Sequence, residues 1–273
     1  MNWSRAKTIL IALLLVVNVF LLVTYIVREN GVRRDELEVR RQVCDILKAQ
    51  GITVPQESVP LDSVTITPAV IRKSADDAKI AQSLFGEVSR SENGESVAYS
   101  GEGGNIMFSK NSFSLVYESE REIGSPEDAR SLAKRIVSKL AFSADSRNFE
   151  VTEEDGGYKL TVPRVFSGVR VFNCAAEFKI SSGGSVIAYG KHIGAGKLSL
   201  VKGNVINTSA LMLSFADAMR ERGKTPVTVH AIELGYMAEL TAPGVVSLEP
   251  MLEISTDSGV FYINMQTGKT EAD

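Results

Sequence analysis

Few residues of this chain are arranged to do covalent chemistry. His192 and His230 are its two histidines, and neither has a second ligand-type residue at the spacing a zinc site takes from one helix or hairpin. A Ser-His-Asp triad needs a serine on a sharp turn, and no G-x-S-x-G occurs. Cys174 with either histidine would make a nucleophile pair. It falls in the alternating stretch Val171–Ile180, however, where a small buried thiol is the simpler reading. Gly223-Lys224-Thr225 lacks the glycine that a phosphate loop places five positions earlier, where Ala218 stands. Gly194-Ala195-Gly196-Lys197 is flexible and basic but follows no nucleotide-binding pattern, and Ser4-Arg5-Ala6-Lys7 lies outside any fold. Glu150, Glu153, Glu154 and Asp155 form a run that either takes a cation or solvates a hairpin end. The sequon Asn207-Thr208-Ser209 falls at a helix cap. No catalytic residue, cofactor-binding residue or metal ligand is assigned, and the reading is non-enzymatic.

The elements that position these groups begin with a twenty-residue run, Thr8–Val27, that is almost wholly apolar and uncharged. Arg5 and Lys7 bound it on one side and Arg28 on the other. As a helix at ~1.5 Å per residue it is about 30 Å long, the thickness of a bilayer's hydrocarbon core. It exceeds a signal peptide's apolar core and ends without an A-x-A cleavage pattern, so it reads as an uncleaved single anchor. Residues 1–7 then form a short cytoplasmic N-terminus and the C-terminal body lies outside. A bare Lys/Arg count favours the opposite orientation, but long domains translocate largely regardless of charge. Trp3 and Tyr25 fall near the two interfaces. Asn18 sits near mid-membrane. Its amide either marks a contact with a helix of another membrane protein, which would repay it with a hydrogen bond, or is one polar group that the span tolerates.

Beyond the anchor the chain has 28 basic and 33 acidic residues, a balance that excludes a nucleic-acid-binding face. Hydrophobic content of 44% and charged content of 23% mark a folded body. Cys44 and Cys174 are 130 positions apart and outside any CxxC, which favours two thiols over a disulfide.

The expected fold class is α+β: curved antiparallel sheets with packed helices, behind one transmembrane helix. Residues 28–51 form a juxtamembrane helix whose apolar stripe (Leu37, Val39, Val43, Ile46, Leu47) packs on its own domain or on a partner, with Gly51 as its stop. A short helix begins at Ser74, with Asp77 completing a capping box, and stops before Gly86. Strands follow at 96–100, 105–109 and 112–117. Ser125-Pro126-Glu127-Asp128 is a strong helix start, followed by strands at 149–152, 158–166, 171–180 and 186–192. A further helix spans 208–222, then strands at 227–240, 246–255 and 260–265. One helix followed by an antiparallel meander thus occurs three times. A boundary near 121–124 separates a first ectodomain unit, 52–120, from a second, 121–273.

The opening Met1-Asn2-Trp3-Ser4-Arg5-Ala6-Lys7-Thr8-Ile9-Leu10, running into an anchor with Asn18 and Phe20-Leu21-Leu22, resembles the YycI proteins of Gram-positive bacteria, relatives of the YycH proteins. The likeness continues more loosely through Val97-Ala98-Tyr99-Ser100 to Phe108, and into Gly168-Val169-Arg170-Val171-Phe172, a stretch also similar to PepSY-type and YpeB-like modules. The resemblance implies a single-pass protein with an extracellular α+β domain. It implies a YycH-like protein and the WalK (YycG) sensor histidine kinase, which controls cell-wall metabolism, as partners beside the lipid bilayer. It transfers no catalytic residue and no cofactor. The rival readings are a PepSY/YpeB-like partner or chaperone of a secreted cell-wall hydrolase, and an anchored hydrolase.

Overall fold

The structure, a computed structural model, describes residues 3–73, 76–154, 156–191, 196–242 and 244–272. Helix α1 (Trp3–Ala49) runs unbroken through both the apolar run and the segment expected as a separate juxtamembrane helix. No proline interrupts its ladder, and its 47 residues span about 70 Å. It stops at Gly51, whose φ of 81° is left-handed backbone that glycine adopts without a Cβ penalty. Many side chains in the first half of α1 lie outside the described set. Among the described residues no helix is long and apolar enough to cross a membrane. The span Thr8–Val27 therefore remains a reading of the sequence.

After β1 (Ile52–Thr53) and β2 (Ala69–Lys73), the helix-and-meander theme appears three times with four strands each. The first unit is α2 (Asp77–Phe85) with β3 (Val88–Asn93), β4 (Ser96–Gly101), β5 (Gly104–Ser109) and β6 (Ser112–Glu118). The second is α3 (Pro126–Lys139) with β7 (Glu150–Glu154), β8 (Gly157–Phe166), β9 (Val169–Ser181) and β10 (Ser185–Lys191). After β11 (Gly196–Leu200) comes the third: α4 (Thr208–Glu221), β12 (Val227–Ala242), β13 (Val245–Thr256), β14 (Gly259–Asn264) and β15 (Thr270–Ala272). The protein is thus α+β and mostly antiparallel; the exceptions are β1–β12 and β9–β12, which pair parallel.

Cap chemistry sets the helix starts. The Ser125 hydroxyl accepts from the Asp128 N–H at 3.2 Å, with Pro126 at the first helical position. The Asn207 amide oxygen accepts from the Ala210 N–H, and the Asp62 carboxylate takes the Ser209 N–H at 2.9 Å. At α2 the expected cap, Ser74, lies outside the described residues. Asp76 caps this helix instead, accepting from the Ala78 N–H at 3.0 Å.

The expected boundary at 120/121 does not divide the packing. Strand β6 pairs with β10 over seven positions, from Ser185↔Glu118 to Lys191↔Ser112, so the first two units share one sheet ordered β3-β4-β5-β6-β10-β9-β8-β7. A single apolar core joins Ile80 and Leu84 of α2, Leu115 of β6, Ala133 and Ile136 of α3, and Phe178 of β9. A second core gathers Val43 and Leu47 of α1, Phe215 and Met219 of α4, Val229 of β12 and Ile254 of β13. Strands β12 and β13 cross from one core to the other: Tyr236 and Leu248 belong to the first, Val229 and Ile254 to the second.

The stretch Gly168–Phe172 lies where the second and third units meet. Arg170 pairs with Gly235 across the parallel β9–β12 contact and reaches Glu233 at 3.2 Å. The Phe172 ring packs against Gly235 so closely that a Cβ there would come within 2.3 Å of it. The Asn173 side-chain amide next to it both donates to the Ala238 carbonyl and accepts from the Ala238 N–H, each at 2.9 Å. This part of the sequence motif is a joint between the second and third units within one sheet.

Candidate functional site

The groups singled out for chemistry do not converge. His192 and Asp155 lie outside the described residues. His230 is exposed at a register shift of β12, between Val229 and Ala231. Glu150, Glu153 and Glu154 are exposed on β7, where strand alternation turns Glu150 and Glu154 to one face and Glu153 to the other. Among the described residues no group of three or more His, Cys, Asp or Glu is placed to hold a metal ion. A depression of about 590 Å³ near α2 and α3 is bordered by Glu102, Tyr117, Glu118, Glu120, Arg121 and Arg135, with no cysteine or histidine on its rim.

Cys44 and Cys174 are both free thiols. Cys174 is fully buried and donates to the Lys191 carbonyl at 3.6 Å. Beside it is Arg164, 1% exposed, its guanidinium carbon 4.9 Å and 4.7 Å from the ring centroids of Phe142 and Phe166. Burial pushes the Cys174 thiol from 9.0 up to about 11, against the pull of the Arg164 and Lys191 charges. A thiol held protonated in this way is not a nucleophile near neutral pH.

The shift also fixes a pH dependence. Above pH 9 the unfolded chain releases the Cys174 proton while the folded chain keeps it, so stability falls from about pH 9 to pH 11. The contribution lost is on the order of 2–3 kcal/mol at ~1.4 kcal/mol per unit. Urea unfolding of Cys174→Ala and the parent across that window checks it: the parent is expected to lose more stability than the variant, and parallel curves would refute the protonated thiol.

The remaining candidate, Asn18, lies in a stretch of α1 whose described side chains are exposed on every side. Leu14, Leu15, Val19 and Leu22 surround it at 53, 61, 51 and 58% exposure. These four and Asn18 enclose an open depression of about 390 Å³, with the shorter amide among longer leucines. Among the described residues, no hydrogen bond holds the Asn18 amide. Thr24, two turns on, satisfies its hydroxyl within the helix by donating to the Phe20 carbonyl at 2.8 Å. Asparagine brings two donors and an acceptor, which its own turn does not absorb.

The other end of α1 is seated. Val43 is 5% exposed and Leu47 is 0% exposed, the helix packs on α4, and Glu36 accepts a hydrogen bond from the Ser63 hydroxyl at 2.9 Å. Asn18 and Glu36 are eighteen residues apart, about five turns at 3.6 residues per turn, so they share one side of the helix. Of the apolar stripe read from the sequence, Val43 and Leu47 are seated, while Leu37, Val39 and Ile46 are exposed. The Glu36–Ser63 contact joins positions 27 apart in sequence and carries no local signal.

No family model and no curated protein matches this chain. Among solved structures, an uncharacterized protein from Eubacterium rectale is similar, with a TM-score of 0.49 and 10% identity over 76% of this chain and 86% of that one.

Proposed function

We propose that the chain is a membrane-anchored extracytoplasmic regulator, with Thr8–Val27 crossing the bilayer, residues 1–7 in the cytoplasm and the α+β body outside. Asn18 contacts a helix of a membrane partner. On the resemblance to YycI proteins, the partners are a YycH-like protein and the WalK (YycG) sensor histidine kinase. The protein acts by binding one arrangement of the kinase more tightly than another, which shifts their populations. Such a regulator needs differential contacts and no catalytic group.

The observation that supports this most is the state of the Asn18 amide. A tolerated polar residue in a span does best by bonding within its own helix, as Thr24 does. The Asn18 amide instead lies open among exposed leucines. In hydrocarbon it gains a partner only from another helix.

Asn18→Leu is expected to leave insertion intact and to weaken association with the kinase about 3- to 30-fold, the equivalent of one interhelical hydrogen bond of ~0.6–2 kcal/mol. Titrating the labelled kinase against the full-length protein in proteoliposomes measures this. Unchanged affinity would remove Asn18 from the contact.

A further inference from the structure

Helix α1 has no break between the apolar run and the body, so its rise sets how far the body stands from a bilayer. The Ser63 hydroxyl holds α1 at Glu36, nine residues past Val27. That is a rise of about 14 Å, of which the polar layer of a bilayer takes up roughly 5–7 Å. The loop carrying Ser63 cannot drift from this height. Asp62 also accepts from the Ser209 N–H of α4 at 2.9 Å, and the Val64 N–H closes a turn on the Leu61 carbonyl at 2.9 Å. Val64, at the end of that turn, is 50% exposed. A tilt of about 20°, ordinary for a span, lowers a point roughly 10–15 Å off the axis by about 3–5 Å and brings this loop to the headgroups.

Arg33 and Arg34 lie between the loop and the apolar run, and Arg33, three residues before Glu36, shares its face of the helix. Both arginines are exposed, and among the described residues neither has a hydrogen bond or an ion pair. Helical side chains lean toward the N-terminus of their helix, which here is the bilayer. Asp35, Glu36 and Glu38 lie further out, and Glu36 is taken up by Ser63. Arg28 and Glu29 offset each other in charge. The arginine pair therefore presents unpaired positive charge at the height where lipid phosphates lie.

Resting on the reading of Thr8–Val27 as a span, we propose that the body lies down on an anionic lipid surface, with Arg33 and Arg34 against lipid phosphates and the Val64 turn against the headgroups. The bilayer is the one partner whose place the span already dictates. The contact gives the body a second hold on the membrane and fixes the direction in which α1 tilts.

Trp3 is the chain's one tryptophan, which allows a fluorescence test on the full-length protein in vesicles. The quencher is a phosphatidylcholine bearing a nitroxide on its headgroup, in a background of phosphatidylglycerol or of phosphatidylcholine. The parent reports through Trp3, and Trp3→Phe with Val64→Trp reports from the turn. The expected result is quenching of the parent in both backgrounds, and quenching at position 64 that is several-fold stronger in phosphatidylglycerol. Adding Arg33→Gln and Arg34→Gln is expected to remove that preference while leaving Trp3 of the otherwise unaltered chain quenched. Quenching at position 3 without any at position 64 would mean that the body stands clear, overturning this inference and leaving the span in place. Equal quenching at position 64 in both backgrounds, or a preference that survives loss of both arginines, would overturn the anionic contact. No quenching at either position would overturn the span together with the inference.

Discussion

Leu47→Ala is expected to cost about 2–5 kcal/mol of folding stability, the range for removing a fully buried leucine and leaving part of its cavity. Leu47 is 0% exposed in the core formed with Phe215 and Met219 of α4 and Ile52 of β1. That core also fastens α1 to the body, so the loss falls on the joint between the helix and the rest of the fold. Ile46 provides the internal control. It is 44% exposed one position earlier, and Ile46→Ala is expected to stay within about 0.5–1 kcal/mol. Urea unfolding followed by far-ultraviolet circular dichroism on the full-length protein in detergent compares the pair. If the two substitutions cost the same, Leu47 does not hold the helix, and the shared side of Asn18 and Glu36 loses its meaning.

Gly235→Ala is expected to destabilise by about 1–3 kcal/mol through overpacking. The added methyl would lie 2.3 Å and 2.5 Å from Phe172 ring carbons and 2.9 Å from the Arg170 carbonyl oxygen. The ring also packs against Tyr262 at a centroid separation of 5.5 Å, a contact that moving it would disturb. The backbone contact persists whatever the ring does. A double-mutant cycle with Phe172→Leu separates the two: relief of the ring clash appears as coupling between the substitutions, and the remainder belongs to Arg170. For a body of this size each kcal/mol corresponds to a shift of about 2–4 °C in melting midpoint. A midpoint within 1 °C of the parent's would mean that β9 and β12 are not packed this closely in the protein.

What the sequence discloses depends on how local the cause is. The start of α3 is legible because Ser125, Pro126, Glu127 and Asp128 act within one turn. The hairpin strands are legible from alternation and their Gly turns. Strand β3 is not: Val88-Ser89-Arg90-Ser91-Glu92-Asn93 has one apolar residue, as befits an edge strand with little to bury. Strands β2 and β11 carry no local signal either, because each is defined by pairing with a partner far away in sequence. The β6–β10 pairing that joins the first two units is hidden for the same reason, since it links positions about 70 residues apart.

At the candidate site, Asn18 stands out in sequence as one amide in an apolar run, but whether anything in the protein covers it does not. Cys174 reads correctly as a buried thiol. Its neighbour Arg164 is not legible there, because a register shift between Pro163 and Arg164 resets which residues of β8 and β9 stand opposite each other.

The seating of α1 has a mechanical consequence. One end of the helix is clamped by Leu47 and by the Glu36–Ser63 bond, and strands β12 and β13 tie that clamp to the far core. The body and the rod therefore turn as one piece. A torque applied to the far end of the sheet would reach α1 through this clamp as a swivel about its long axis.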